Sequence, residues 1–562
     1  MRVIAVATFL CVSIILRAQS TYIPLGSYSM HQLERLEIKS GMLAEPHQFN
    51  TTSKSYQRHR IANYVDSFNV VGCKLSAIDY FNLSYLQADN FEFSNSQSPR
   101  SKRSYSGFFK TKAACIHHQE KDFTIVINPI TLLQNGYDTR LKKTTSINSR
   151  GIELRGTIGH KVGFYTTFND EILVPTSWVY EFYRDHKAVP GQGFTKVPST
   201  DSVPKYINYS NASGYITLQP NRYIDLQFGH GSNFIGNGYR TFYLSNFSRN
   251  HLFLRANTRI WKINYTNIWG QMYDWVNPSQ RQLPKRHYYA TTHANINLTK
   301  KLNVGLFQTV SFQRDSGYAN GGYDLEYLNP IIFFKPIENG LNSPDKTILG
   351  ADFKYLFGHR FQLYGQAVIS EFKLQELLSN NGWFGNKWAT QLGIKYVDAL
   401  GIKNLDVQLE NNVARPYMYT SFNALNAYVN YNQNMAHPLG ANFYEYIGIL
   451  RYQPTNRISF KGTLIYAIYG NDTNNSNWGK NISIAYGTST LPQLYGNTIA
   501  QGVKTTLLMA DLLTSYMIKH NLFIDVQVVY RKTDSEISNF NTRTIFVNGT
   551  LRWNFAERRW DF

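Results

Sequence analysis

"TIFVNGTLRWNF", residues 544–555, alternates without a break. Ile545, Val547, Gly549, Leu551, Trp553 and Phe555 fall on one face, and Thr544, Phe546, Asn548, Thr550, Arg552 and Asn554 on the other. Successive side chains of an extended strand point to opposite sides, so the stretch presents one apolar and one mostly polar face. A strand with lipid on one side and a watery lumen on the other needs that pattern. A water-soluble sandwich alternates too. Length and ends favour the membrane barrel. Comparable dyads recur in "RFQLYGQAVISEF" (360–372), "RISFKGTLIYAIYG" (457–470) and "NLFIDVQVVYRKT" (521–533), with aromatics such as Trp261, Trp269, Trp388 and Tyr530 at strand ends.

Composition agrees. Aromatic residues make up 15% of the chain and charged ones 17%, and mean hydropathy is −0.35. A barrel has this profile because only every second strand residue meets lipid. Arg2, the apolar run Val3–Leu16 and Ala18-Gln19-Ser20 read as a secretory signal peptide over residues 1–20. Cys11 lies inside that run without the small residues a lipidation site needs. No later apolar run reaches the ~18 residues of a membrane helix. Lys and Arg exceed Asp and Glu by 57 to 37, a net charge of +20. In an exported chain that excess points away from nucleic acid. It points to an anionic membrane surface, lipopolysaccharide included, or to an anionic polysaccharide; equally, it is spread over loops with no dedicated ligand.

The chain divides in two. Residues 21–115 carry helical signals and are expected to form a small helical periplasmic region or a cap. "SMHQLERLEIKSG" opens with Ser29 and closes with Gly41, "KSYQRHRIANYVDSF" sets Tyr56, Ile61, Tyr64 and Val65 near one face, and "KLSAIDYFNLSYLQADN" reads likewise. Residues 116–562 are expected to be the barrel. At roughly 20–25 residues per strand and connection, about 16–20 strands fit, even in number. The chain ends "RRWDF". A terminal aromatic suits recognition by the barrel-assembly machinery, but Phe562 stands beyond the last clean dyad.

Motifs for chemistry are absent. There is no HExxH, GxSxG or Walker loop, and no enzyme activity or cofactor is expected. "HHQE" (117–120) reads as a hydrophilic loop rather than a metal site, and spacing does not say whether Cys73 and Cys115 pair. "FGHGSNFIGNGYRTFYLSNFSRNHLFLR" (228–255) is no dinucleotide loop, because its third glycine comes too late and no helix pattern follows. It reads as strand–turn–strand, with glycines for a tight turn or for close backbone approach inside a barrel.

Several words of the chain occur in a telling order: "LQFGHGSNFIGNGYRTFYLS", "RIWKINYTNIWGQM", "DLEYLNPIIFF", "ENNVARPYMY" and "YNQNMAHPLGANFYEYIGILRYQP". Together they resemble the family of outer-membrane barrels that includes the capsule assembly protein Wzi and the gliding motility protein RemB. The resemblance implies an 18-stranded barrel with an N-terminal helical part on the periplasmic side, in the outer membrane of a Gram-negative bacterium. It also implies a non-enzymatic role in capsular polysaccharide attachment or in gliding-type surface motility. The rivals are a small-solute porin and an outer-membrane lipid- or polysaccharide-modifying enzyme.

Arg240, Arg259, Glu326, Glu410, Arg415 and His437 lie in or beside strand-like words. A charge facing lipid at mid-membrane costs about 2–4 kcal/mol for Arg, so these residues are expected to face the lumen and pair there. Aromatic, Asn-rich loops such as "SNNGWFGNKW" nominate Trp383, Trp388 and Trp478 as surface sugar contacts.

Overall fold

The computed structural model describes residues 20–562, apart from 45–48, 69–73, 95–107, 110, 160, 196–204, 275–283, 315–320, 332, 342, 474–475 and 487–490. The expected signal peptide, except Ser20, and Cys73 lie outside the described residues; Cys115 is a half-buried free cysteine.

Eighteen long antiparallel strands run from Phe123–Asp138 to Thr542–Trp553. The first and last pair with each other, from Thr131 opposite Trp553 to Asp138 opposite Phe546, which closes the sheet into a barrel. Closure leaves no edge to template aggregation. In the last strand Thr544, Phe546, Asn548, Thr550 and Arg552 are buried, while Ile545, Val547 and Leu551 are exposed. The apolar face therefore looks out to lipid and the polar face looks in. The strand ends at Trp553, short of Phe555, because the chain leaves the wall there. Asn554 donates to the Pro129 carbonyl at 2.9 Å, and beyond that point the first strand pairs with the short strand Ile116–Gln119.

Connections at one end are short (159–161, 219–223, 261–262, 520–521), and at the other long (175–206, 232–250, 313–345, 415–442, 472–502). Barrels of this kind keep short turns in the periplasm and long loops outside. No helix among the described residues is long and apolar enough to cross a membrane; the chain crosses with strands.

Three helices, Tyr28–Ser40, Arg58–Phe68 and Ala77–Asp89, precede the barrel. Ser27, rather than Ser29, is the first N-cap, and Gly41 ends that helix at φ 66°. Ser76 and Asp79 form a reciprocal capping box on the third. The helices fill the mouth at the short-turn end of the barrel. Arg35 donates to Asp79 at 3.0 Å and pairs with Asp398, in a turn of the wall, and with the wall-strand residue Asp406. Lys354 of the wall holds Glu37 at 3.1 Å, and Asn82 donates to Gln453 at 2.9 Å. Polar helix faces that would meet water in a free domain meet lumen charges here.

One outer connection behaves differently. Asn295 and Asn303 meet each other, and Asn295 meets Asn50 of the N-terminal region, so both face the lumen. Thr292 and Gln308 have the opposite parity, facing away from the lumen, yet both are buried. Residues 323–331 and 333–341 cover them. The Trp269 indole N–H donates to the Tyr327 carbonyl at 3.1 Å, the Tyr265 hydroxyl to the Pro330 carbonyl, and the Phe334 N–H to Gln308 at 3.1 Å. Backbone at membrane depth needs such partners. Tyr327 and Phe334 pack on Tyr288, Val310 and Phe312, which pins the segment to the outside of the wall. Glu326 rides on this segment, exposed, in the short helix Leu325–Leu328. It is not a lumen residue, because its loop is drawn outward by its own apolar side chains.

A Trp269→Phe exchange deletes one donor and leaves the Tyr327 carbonyl unpaired at a cost of about 1–3 kcal/mol. Hydrogen exchange over 323–341 should accelerate while the barrel's own melting holds. Unchanged exchange there would mean the indole bond does not secure the segment.

Candidate functional site: a filled lumen beneath outer loops

The glycine-rich stretch 228–255 is strand, inward fold, strand. Ile224–Gly231 and His251–Ile260 belong to the wall, and residues 232–250 turn back into the barrel. Gly236 sits at φ 150°, and a Cβ on Gly238 would come within 2.6 Å of a Glu410 carboxylate oxygen. The glycines allow backbone to touch carboxylate. Glu410, on the wall strand Leu405–Ala414, accepts the Tyr239 N–H at 2.6 Å and the Arg240 N–H at 3.0 Å, and also the Tyr364 hydroxyl at 2.7 Å. His230 points away from this centre: its ring contacts the Ala212 carbonyl, while its neighbour Gly229 faces in.

Around Arg240 a charged centre forms. Its guanidinium meets Glu445 at 3.4 Å and Asp561 at 3.3 Å. His437 Nε2 lies 2.7 Å from Glu445, and His437 Nδ1 accepts the Leu439 N–H at 3.1 Å. That pattern puts the ring proton on Nε2, donated to the carboxylate. Burial pushes the His437 pKa down, against the pull of Glu445. Burial alone would raise the Asp561 carboxyl; Arg240 and Arg559 outweigh it and hold it well below the usual carboxylate range.

The sequence did not single out Glu445 or Asp561. Glu445 carries the same signal as Glu410, a carboxylate at an inward strand position between Phe443 and Ile447. Asp561 belongs to the C-terminal tail, which leaves the wall after Trp553 and climbs the lumen. Lys461 pairs with Glu557, Arg558 with Glu171 at 2.6 Å, and the Trp178 indole donates to the Trp560 carbonyl at 2.9 Å. Phe562 packs against Phe182 and Phe247, far from the last strand. Above this layer the segment 415–442 closes the outer mouth with buried Tyr417, Tyr419, Tyr428 and Met435.

The other nominated residues scatter. Arg259 pairs with Asp225 near the periplasmic end. Arg415 sits under the outer loops, donating to the carbonyls of Trp383 and Asn497 at 3.4 and 3.3 Å; it joins no carboxylate among the described residues. Trp383 and Trp478 are half-buried in outer connections, Trp383 with Lys373 Nζ 4.6 Å from its ring. Trp388 is not a loop contact. Ala389 and Gln391 of its strand face inward, so Trp388 faces lipid at the outer rim, opposite Ile369. His118, on the short strand, and Glu120, just past it, lie 3.0 Å apart and exposed, and no group of metal-ligating side chains forms among the described residues.

Lowering the pH should loosen the outer cap. An unfolded histidine takes up a proton near pH 6.5, whereas buried His437 resists. Below pH 6.5 the unfolded state binds more protons, so stability present at neutral pH is lost as pH falls toward the depressed folded value, at up to about 1.4 kcal/mol per unit. Hydrogen exchange over 415–442 at pH 7.5 and 5 tests this. His437→Gln, which can make both hydrogen bonds without titrating, should remove the pH dependence; if it keeps it, another group is responsible.

No family model matches the chain, and no curated protein matches it. Solved structures do. Wzi, an outer-membrane protein of Escherichia coli involved in group 1 capsule assembly and described as a carbohydrate-binding β-barrel, aligns over 96% of this chain and 100% of its own, with TM-score 0.56 and 12% identity. This chain has the fold of the Wzi barrel. Pseudomonas aeruginosa OccK8 (OprE) aligns over 76% of this chain and 97% of its own, at TM-score 0.41 and 9% identity. The likeness to Wzi concerns architecture, and places the chain among outer-membrane barrels.

Proposed function

We propose that the protein is a non-conducting, non-enzymatic outer-membrane barrel that attaches polysaccharide at the cell surface. The observation that carries this reading is the lumen. It is occupied from the periplasm by the N-terminal helices, in its middle by 232–250 and the C-terminal tail, and outside by 415–442. A porin needs that space open. The buried histidine–carboxylate pairs speak against the rival of a lipid- or polysaccharide-modifying enzyme: His437–Glu445 lies under the Phe242 and Phe443 rings, and His293–Asp352 is fully buried. What remains for function is the outer loop surface, with the half-exposed Trp383 and Trp478, and the basic excess of the chain as a whole suits an acidic glycan. Wzi, of the same fold, binds carbohydrate.

Deleting the gene and scoring capsule retention together with movement on a surface tests the reading. Loss of capsule with normal movement is expected. Loss of movement alone would assign the barrel to gliding, and loss of neither would end both readings.

A further inference from the structure

A cavity of about 240 Å³ lies between the helix Tyr28–Ser40, the C-terminal tail and the wall strands from Lys387–Tyr396 round to Thr542–Trp553. It extends from Asn404 and Gln453, at the periplasmic turns, up to Gly238 and Tyr239 beneath the charged centre. Seven Lys or Arg side chains line it against three Asp or Glu. The three acids are already engaged. Glu34 is shared between Lys54 and Lys395, Asp406 is held by Arg35 and His31, and Glu557 by Lys461. Arg451 makes only a 3.4 Å bond to the Gln408 amide oxygen, and Arg559 lies over the Tyr239 ring at 5.1 Å. Among the described residues neither has a carboxylate within ion-pair distance.

Basic side chains in excess around one confined, low-dielectric space repel each other and focus a positive potential into it. An anion entering the space relieves that repulsion and finds planar donors for a carboxylate or phosphate. Amides stand among the apolar and aromatic residues of the lining, with Gln408 and Gln453 beside the charges. Amides suit sugar hydroxyls, because each can donate and accept.

We propose that this cavity is a periplasm-facing binding site for an anionic saccharide group, its acid held by Arg451 and Arg559 and its hydroxyls by the neighbouring amides. The saccharide rests on the function proposed above; the anion does not. It would give the barrel a second glycan contact, on the side from which exported material arrives, separated from the outer loops by the plugged lumen.

Titration calorimetry on the full-length protein in detergent at low salt tests it, with glucuronate as probe and glucose and inorganic phosphate as comparisons. Glucuronate is expected to bind, glucose not. The double variant Arg451→Gln, Arg559→Gln should weaken glucuronate roughly tenfold or more. No glucuronate binding, equal binding of glucose, or an unaffected double variant would overturn the site. Phosphate binding without glucuronate binding would overturn the saccharide and leave an inorganic-anion site. If the double variant lacks the heat-modifiable gel mobility of a folded barrel, salt on the wild type decides instead: glucuronate affinity must fall as salt rises, and salt-independent binding overturns the assignment. Capsule retention in cells carrying the double variant separates the two ideas. Retention with lost glucuronate binding removes the cavity from attachment without touching the outer-loop reading.

Discussion

Glu410→Ala is expected to turn a silent barrel into a conducting one. Glu410 accepts two consecutive backbone N–H groups, of Tyr239 and Arg240, and the hydroxyl of Tyr364. Gln391 and Asn412 donate to it as well, at 3.2 and 2.9 Å. One carboxylate thus fastens the inward fold 232–250 to the wall. Removing it leaves buried N–H groups without an acceptor and Arg240 with one less neighbouring negative charge, a loss of about 3–5 kcal/mol for breaking a buried charged cluster. Eighteen ladders of backbone hydrogen bonds do not depend on Glu410, so the barrel stays closed while the fold inside it detaches. In planar bilayers the wild type should show few or no steps, and the variant frequent, fluctuating ones. Glu410→Gln, still able to accept, should fall between. A silent Glu410→Ala barrel that melts like wild type would show that the plug is held elsewhere.

The wall of this molecule is legible in the sequence because a two-residue period has one physical meaning in a membrane: alternate residues meet lipid or lumen. The same rule made Glu410 readable, since a carboxylate inside "VQLENNVA" has nowhere to go but inward. It would have found Glu445 as well. It also separates Trp388 from the loop tryptophans, because parity on a strand outranks the aromatic character of the surrounding word. The rule stops where the strand stops. Glu326 lies in a connection, whose path is decided by whether its apolar residues find a partner inside or outside the wall, and Tyr288, Val310 and Phe312 offer that partner outside. The inward fold at Gly236 and Gly238 is visible as glycine but not as a destination. Helical periods predicted the N-terminal helices; that their polar faces would seek Asp398, Asp406 and Lys354 depends on residues more than 300 positions away. Asp561 carries no periodic signal at all.

Cutting the chain after Phe555 is the sharpest test of what the last residues do. If the terminal Phe562 were the aromatic that the assembly machinery reads, the shortened chain would fail to insert. The aromatic that ends the last strand is Trp553, opposite Thr131 and Leu522. The shortened chain should therefore reach the outer membrane in near-normal amount. Its plug should not survive as well. The cut removes Arg558 from Glu171, whose side chain is fully buried, and Asp561 from Arg240 and Tyr239. Glu171 is then a buried carboxylate left with the Tyr209 hydroxyl alone, and Arg240 loses one of its two ion-pair partners and keeps Glu445. Stranding one such charge costs about 3–5 kcal/mol, and the two sites share the tail, so their losses should not simply add. The temperature at which the folded band gives way on a heat-modifiability gel should drop well below wild type, more than for Trp553→Ala, which spares the lumen. The opposite pair of results, a truncated chain missing from the membrane and a Trp553→Ala chain inserted normally, would return the assembly role to Phe562 and leave the tail's ion pairs as a consequence of its path rather than its purpose.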